Sequence, residues 1–526
     1  MEKQEITTRE KEKESWLDSD VYLEKLEEFG TERHVEAYKK VLEFSQAIQD
    51  RGGRALIIGG CVRDMLLERV SKDFDIEVYG LEPEVVEEIA EEYGDISHAG
   101  KAFEVIKMFV EGGICLDISL PREDSKIAEG HKGFKARIDP NMSIEEAAKR
   151  RDFTVNSMGF DPLTNEHFDP YGGTEDLKNR TLKVTDPTKF GEDPVRVLRA
   201  FQFAARFEMD IDDDAKRIIR EVMPSMNELS GERLGTEWGK LLLKSEKPSV
   251  GLRQAMELGL FNEIHPEFAD LPKTQQGEQW HPEGDAWEHT LQVVDAAAQV
   301  IRREGFDLDT ESKNSNLALG IIMAALCHDL GKPEKTQFKK DGKITSYGHE
   351  LAGVKPAKSF LSKIRLDYKT RDRVMRLVKE HMRPLLLHKD EVEKGQTIKD
   401  KTIRKLAQNL VPSNIRELTL VSEAGHRGRS ATGVPNMEMD FLQGEWLMKK
   451  ATALGVEGGP GPHSVKGQDF INLGYEQGPK IGRLIELSND LRDDKHISKE
   501  QILEELQGIE AADDAIKKLR QLLSNK

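Results

Sequence analysis

Cysteine is scarce: Cys61, Cys115 and Cys327 are the only three in 526 residues, and they lie far apart without metal-ligand spacing. That excludes a disulfide framework and a zinc ribbon and predicts a reducing, cytoplasmic setting. Long apolar runs are missing as well. The longest, near "LALGIIMAALC", is too short to span a bilayer, and the charged opening "MEKQEITTREKEKES" has no apolar signal core. A basic excess is also absent. With 78 basic and 96 acidic residues the net charge is −18, so the surface does not attract nucleic acid in general, and a polyanionic partner must meet a local basic cleft. No repeat recurs at solenoid periods.

What is present is a charge-rich, helix-leaning chain, 37% apolar and 33% charged, long enough for several domains. Residues 1–50 have helical spacing and read as an appended arm. Residues 51–170 turn to short β-type runs ("ALIIGG", "FDIEVYG", "FEVIKMFV", "ICLDISL") around the helical "EPEVVEEIAEEYG", which predicts an α/β head with a mixed sheet. Within it, 121–149 shows no clear period and reads as a mobile loop. The rest reads as largely all-α, divided at 171–275, 276–435 and 436–526, with "GVEGGPGPHSVKG" (455–467) as a turn-rich break.

Chemistry concentrates first at "LIIGGCVRDMLLERVSKDFDIEVYG", residues 56–80. Side chains alternate along a strand, so Asp73 and Asp75 share one face while Phe74 and Ile76 face the core. Two carboxylates on a rigid face make an all-oxygen site suited to Mg²⁺, and such ions serve phosphoryl and nucleotidyl transfer. Upstream, Gly59 and Gly60 end a strand before a short helix carrying Arg63, a place where backbone N–H groups can receive phosphates. An edge strand with a solvated polar face would also show Asp-x-Asp, but the glycines and arginine beside it favour a site.

A second constellation is "GEDPVRVLR", 191–199. Pro194 fits a first helical position, which sets Asp193 and Arg196 on one helix face. Cytosine and adenine both present an amino donor beside a ring-nitrogen acceptor. A carboxylate and a guanidinium therefore accept them and reject uracil and guanine. Asp193 equally suits a helix cap, so both roles stay open.

"GGCVRD", "KDFDIEV", "RRDFTVN" (150–156), "DPYGGTEDLKNRTLKV" (169–184) and "GEDPVRVLRAFQFAARF" (191–207), in that order, resemble the motifs of class II tRNA nucleotidyltransferases. These CCA-adding enzymes share a polymerase-β-like head with bacterial poly(A) polymerases. The resemblance implies template-independent addition of CCA to the 3′ end of tRNA from CTP and ATP, with 171–275 as a helical neck that meets RNA. By it Asp73 and Asp75 carry catalytic Mg²⁺, Gly60 and Arg63 hold the triphosphate, and Arg151, Arg196 and Arg199 contact the incoming nucleotide. Asp152 contacts the sugar or positions an arginine. The long segment "PREDSKIAEGHKGFKARIDPNMSIEEAAK" favours complete CCA addition over a C-only enzyme, and "GKAFEVIKMFV" lacks the Arg-rich run of poly(A) polymerases. A poly(A) polymerase, a partial CC- or A-adding enzyme, and a phosphohydrolase with a nucleotide-sensing head are the alternatives.

The phosphohydrolase alternative rests on His289, His328, Asp329, His349 and His381, donors spread over separate helical segments. Such a set suits a transition metal that activates water against phosphate esters. It resembles an HD phosphohydrolase domain over 276–435 and implies Ni²⁺ or Mn²⁺ there. That domain's last ligand would be an Asp in an "EADxRGR"-like segment. The chain reads "SEAGHRGR", with Gly425 at that position. The ion is then lost, weakened or held by Glu423 or His426. Helical "KTIRKLAQNL" and "AGHRGRS" are candidates for a basic strip that holds tRNA with a salt-sensitive affinity.

Overall fold

A computed structural model of the protein describes residues 15–71, 73–99, 105–110, 114–126, 134–310 and 312–524. The chain divides into two compact units, Met1–Leu229 and Ser230–Lys526, so the division falls inside the predicted neck.

The first unit opens with helices α1 (Ser19–Phe29) and α2 (Glu32–Asp50), then β1 (Arg54–Ile58), α3 (Gly60–Leu66), β2 (Phe74–Tyr79), α4 (Pro83–Tyr93), β3 (Asp95–Ala99), β4 (Val105–Val110) and β5 (Ile114–Ser119). After the ribbon β6 (Arg122–Lys126) and β7 (Phe134–Ile138), strands β8 (Gly159–Phe160) and β9 (His167–Phe168) complete a mixed seven-stranded sheet, ordered β3-β4-β5-β2-β1-β8-β9. Leu56 and Ile57 of β1 are fully buried, as an apolar run covered on both faces requires. Strand β2 lies antiparallel to β1, with Ile57 opposite Ile76, and parallel to β5, with Asp75 beside Asp117.

Residues 15–50 are not an appended arm. Tyr22, Leu26, Tyr38, Val41, Phe44 and Ile48 join Phe74, Ile76 and Val78 in one buried cluster on a face of the sheet. Burying each large side chain contributes about 2 kcal/mol, and no exposed arm would forgo it. Asp18 caps α1 by accepting from the amides of Asp20 and Val21, and Asn165 ties that cap down through Asp18 Oδ2 at 2.9 Å.

The predicted loop 121–149 is likewise ordered over much of its length, as the β6–β7 ribbon and a helix at Ile144–Ala148. "REDSK" carries no apolar residue, so β6 shows no period-2 apolar signal, and the three apolar positions of "FKARI" are too short a run to stand out alone. Residues 127–133 at its tip lie outside the described residues.

In the second unit, helix Asn316–Cys327 is apolar all round and packs against helices Ala286–Arg303, Tyr368–Glu380 and Ile415–Arg427. An all-apolar helix is stable only when surrounded. Gly320 leaves room for Arg373, whose Cδ would stand 2.7 Å from a β-carbon there. Arg373 thereby reaches the buried Glu417 at 2.9 Å. Helices from Gly467 onward build a core of their own around Phe470, Leu484, Leu491 and Leu519. No described helix is long and apolar enough to cross a membrane.

Candidate functional site

Asp73 precedes β2 and Asp75 is its second residue; both are exposed, while Phe74 and Ile76 are buried on the opposite face. The Asp75 carboxyl is raised above its ordinary value. The surrounding protein is the main cause, and Asp117 and Asp73 add to it against the opposing charges of Arg151 and Lys107. Three carboxylates share this site, and Asp117 is paired with Lys107 at 2.8 Å. An all-oxygen donor set of this kind fits a hard divalent cation.

The glycine turn lies beside these carboxylates. Gly59 has φ +69° and ψ −122°, and a β-carbon there would stand 2.9 Å from Arg151 Nη1, so the position needs glycine for both backbone and space. Its N–H donates to the Met158 carbonyl at 3.0 Å. Gly60 opens α3 with the Arg63 guanidinium 3.4 Å from where its β-carbon would be. Arg151, the nearest cation to Asp75, also reaches Glu77 Oε2 at 3.4 Å.

Several predicted ligands are engaged by the protein itself. Arg63 is buried, donates through Nε and Nη2 to Asp64 and through Nη1 to Asn156, and covers the Phe207 ring at 4.3 Å. It clamps the cradle's wall, which corrects the expectation of a guanidinium held out to a triphosphate. Asp152 is buried and accepts from Arg199 Nε at 2.6 Å and Asn156 Nδ2 at 3.0 Å. Burial works to raise its carboxyl, but Arg199 and Asn156 hold it below the ordinary range. Of the two expected roles, this geometry matches positioning Arg199.

Arg196 donates to the carbonyls of Lys189 at 2.7 Å and Arg150 at 2.5 Å. Asp193 Oδ1 accepts from the Val195 amide at 3.2 Å, so the capping role is realised in one oxygen. Sequence reasoning missed Glu77, which shares the parity of Asp73 and Asp75. Buried, it binds Arg150 at 2.5 Å and accepts from Tyr79 Oη at 2.7 Å. Burial favours its neutral form, yet Arg151 and Arg150 keep it ionised.

In the second unit the five predicted donors converge. Asp285 caps helix Ala286–Arg303 and so fixes His289 one turn in. His328 and His381 cap the C-terminal ends of two other helices, and His349 opens a short one. Gly331 makes the meeting possible, since a β-carbon there would lie 2.0 Å from the His349 carbonyl. His328, His349 and His381 each donate Nδ1–H to the carbonyl three residues earlier, at 2.7 to 2.8 Å.

That choice of tautomer leaves each Nε2 as a lone pair. Those of His349 and His381 face each other at 3.2 Å, and that of His328 faces Asp329 Oδ2 at 3.1 Å. His349 Nε2 lies 3.2 Å from Asp329 Oδ1, and His289 Nε2 3.7 Å from Oδ2. Burial holds His289 and His381 neutral, far below the usual imidazole range. Imidazole nitrogens and a carboxylate gathered at this spacing fit a divalent transition metal.

His281, Glu283 and Lys332 belong to the cluster and were not predicted. Glu283 Oε1 lies 2.6 Å from His289 Nδ1 and 2.9 Å from His281 Nδ1. Burial opposes its charge, but these two rings bring its carboxyl down to about 2. Lys332 Nζ sits 2.6 Å from Asp329 Oδ2. Glu423 and His426 are not substitutes for the ligand absent at Gly425. Glu423 is held by Arg303 and Arg427 at 2.6 and 2.7 Å, and His426 Nε2 donates to the Asp440 carbonyl while its ring packs on Phe441.

A mixed sheet with paired carboxylates beside a glycine turn, followed by a helical domain of converging histidines, defines a nucleotidyltransferase with an appended HD domain. Family models match in the same order: the poly A polymerase head domain over residues 55–183, the probable RNA and SrmB-binding site of polymerase A over 208–271, and the HD domain over 286–410. The multifunctional CCA protein of Actinobacillus pleuropneumoniae serotype 5b is 31% identical over 411 residues, 76% of this chain and 92% of that one. That of Pasteurella multocida is 31% identical over 431 residues, 80% and 92% of the two chains. The chain belongs to the multifunctional CCA protein family.

The fold is that of the Bacillus stearothermophilus CCA-adding enzyme solved in complex with CTP, with a TM-score of 0.57, 20% identity, and coverage of 89% of this chain and 96% of that one. The Thermotoga maritima CCA-adding enzyme complexed with tRNA gives a TM-score of 0.52, 19% identity, and coverage of 88% and 93%.

Proposed function

We propose that this enzyme adds CCA to the 3′ end of tRNA from CTP and ATP without a nucleic-acid template. The observation that carries the reading is the exposed Asp73–Asp75 pair on β2, set against the Gly59–Gly60 turn and Arg151, in a chain of this family. The tRNA 3′-hydroxyl attacks the nucleotide's α-phosphate, its proton is released, and pyrophosphate leaves. Asp73 and Asp75 would hold Mg²⁺, which when bound lowers the hydroxyl's pKa and neutralises charge on the leaving group.

The remaining residues position. Gly60 and Arg151 line the triphosphate's place, while Arg63 fixes the wall behind it. Arg199, steered by Asp152, contacts the nucleotide. Asp193 takes the base's amino group on its carboxylate. Arg196 exchanges one of its two carbonyl partners for the ring nitrogen, so a C or A edge satisfies both residues at once. The HD centre is a second site, a phosphohydrolase that would draw its ligands for Ni²⁺ or Mn²⁺ from the cluster of His289, His328, Asp329, His349 and His381.

The test offers the purified protein tRNA transcripts ending before CCA, after C and after CC, with CTP, ATP, UTP or GTP singly and together. Complete CCA addition is expected, and UTP and GTP are not used. A long A tail would favour a poly(A) polymerase, and arrest at CC a partial enzyme. Asp75→Ala abolishes extension; extension that survives it refutes the metal assignment.

A further inference from the structure

The two sides of the Asp329 carboxylate are unlike. On the Oδ2 side stand His289 Nε2 at 3.7 Å, His328 Nε2 at 3.1 Å and the Lys332 ammonium at 2.6 Å. Lys332 Nζ thus already occupies that side, buried and also bonded to Gln276. On the Oδ1 side stand His349 Nε2 at 3.2 Å and, 3.2 Å from that, His381 Nε2. Both imidazoles direct Nδ1 to backbone carbonyls, so both Nε2 atoms and a carboxylate oxygen are turned to one place. Donor separations of this size suit one ion with bonds of about 2.1 Å, for which ideal edges run from roughly 3.0 to 3.4 Å.

Helix Ile415–Arg427 adds no carboxylate to this centre. Ser422 donates to the His381 carbonyl at 2.7 Å, which turns that helix face to the centre. Three residues on, one helical turn along the same face, is Gly425, and a β-carbon built there meets no described atom within 4 Å. Gly425 supplies no side-chain ligand, and Glu423 is spent on Arg303 and Arg427.

We propose that the HD centre of this chain takes a single divalent transition-metal ion, on the Oδ1 side between Asp329, His349 and His381, and that Lys332 serves as the resident cation beside His289 and His328. The inference rests on the reading of this centre as a metal site. A one-metal centre with a fixed ammonium next to it takes a phosphate ester with one oxygen toward the metal and another toward Lys332.

The test is equilibrium dialysis of the full chain against Ni²⁺, with Mg²⁺ in excess to occupy the head, and metal counted by mass spectrometry. One Ni²⁺ per chain is expected. His381→Ala and His349→Asn should each weaken binding at least tenfold, on the order of what lost metal-site interactions cost. His289→Ala should leave affinity within about threefold. Lys332→Gln should raise the count to two, because Oδ2 is then free to ligate. Circular dichroism of each variant separates misfolding from ligand loss, and the histidine pair supplies two independent removals on the same side.

Two ions in the wild type, equal losses in His289→Ala and His381→Ala, or a count still at one in Lys332→Gln overturns the inference while leaving a metal centre in place. No bound Ni²⁺ at all overturns the metal reading itself.

Discussion

Asp152→Asn tests whether the head's arginines are placed by the protein before any nucleotide arrives. Asp152 is 6% exposed and accepts three hydrogen bonds, from Arg199 Nε, Asn156 Nδ2 and its neighbour's amide. Asparagine keeps the shape but replaces one accepting oxygen by a donor and removes the charge facing Arg199. Breaking a buried ion pair costs about 3–5 kcal/mol. The Arg199 side chain is 32% exposed and regains water, so about 2 kcal/mol is expected here. Because a shift of about 1 Å in a positioning group costs on the order of a hundredfold, kcat/KM for CTP and ATP should fall by roughly ten- to a hundredfold.

The assay is a double-mutant cycle of Asp152→Asn with Arg199→Gln. Urea unfolding is followed by circular dichroism and nucleotide addition by initial rates. If Asp152 acts through Arg199, the double variant is scarcely worse than Arg199→Gln alone, and the coupling is about 1–2 kcal/mol. Additive effects in both measurements, within the roughly 0.5 kcal/mol expected of independent sites, would refute the positioning argument.

Gly59→Ala should slow addition and cost roughly 1–3 kcal/mol from its positive φ, with a raised KM for both nucleotides because the methyl displaces Arg151; an unchanged KM would count against that contact. Glu77→Gln leaves Arg150 and Arg151 without their buried counter-ion and should lower kcat/KM for CTP and ATP alike, with no change in the preference between them. In the second unit, burial brings His265 down to about 3, with Trp238 donating to its Nε2 at 3.1 Å. The folded state prefers the neutral ring, so its contribution is complete above pH 6.5 and lost as pH falls toward 3. At pH 5 that is roughly 2 kcal/mol relative to pH 8, and urea midpoints of His265→Gln should show a pH dependence smaller by that amount.

What the sequence discloses and what it hides divide along one physical line. Alternation along β2 places Asp73 and Asp75 on one face because the strand period is local, and the same period would have included Glu77 had its burial not come from Arg150 and Arg151, more than seventy residues on. The histidines of the second unit are legible because each sits at or near a helix end, and helix ends can be read from apolar runs and caps. Residues 15–50 and the β6–β7 ribbon are misread because neither an amphipathic helix nor a polar strand states what it packs on.

The arginines are the deepest case. Arg63, Arg151, Arg196 and Arg199 stand at predicted positions, but a guanidinium has five donors and its role depends on which are spent. Arg196 spends donors on two backbone carbonyls and Arg63 on two side chains, partners that no residue pattern reveals. The same holds for Asp329. Its candidacy as a ligand follows from the motif. Which of its oxygens still needs a cation follows only from where Lys332 has come to rest.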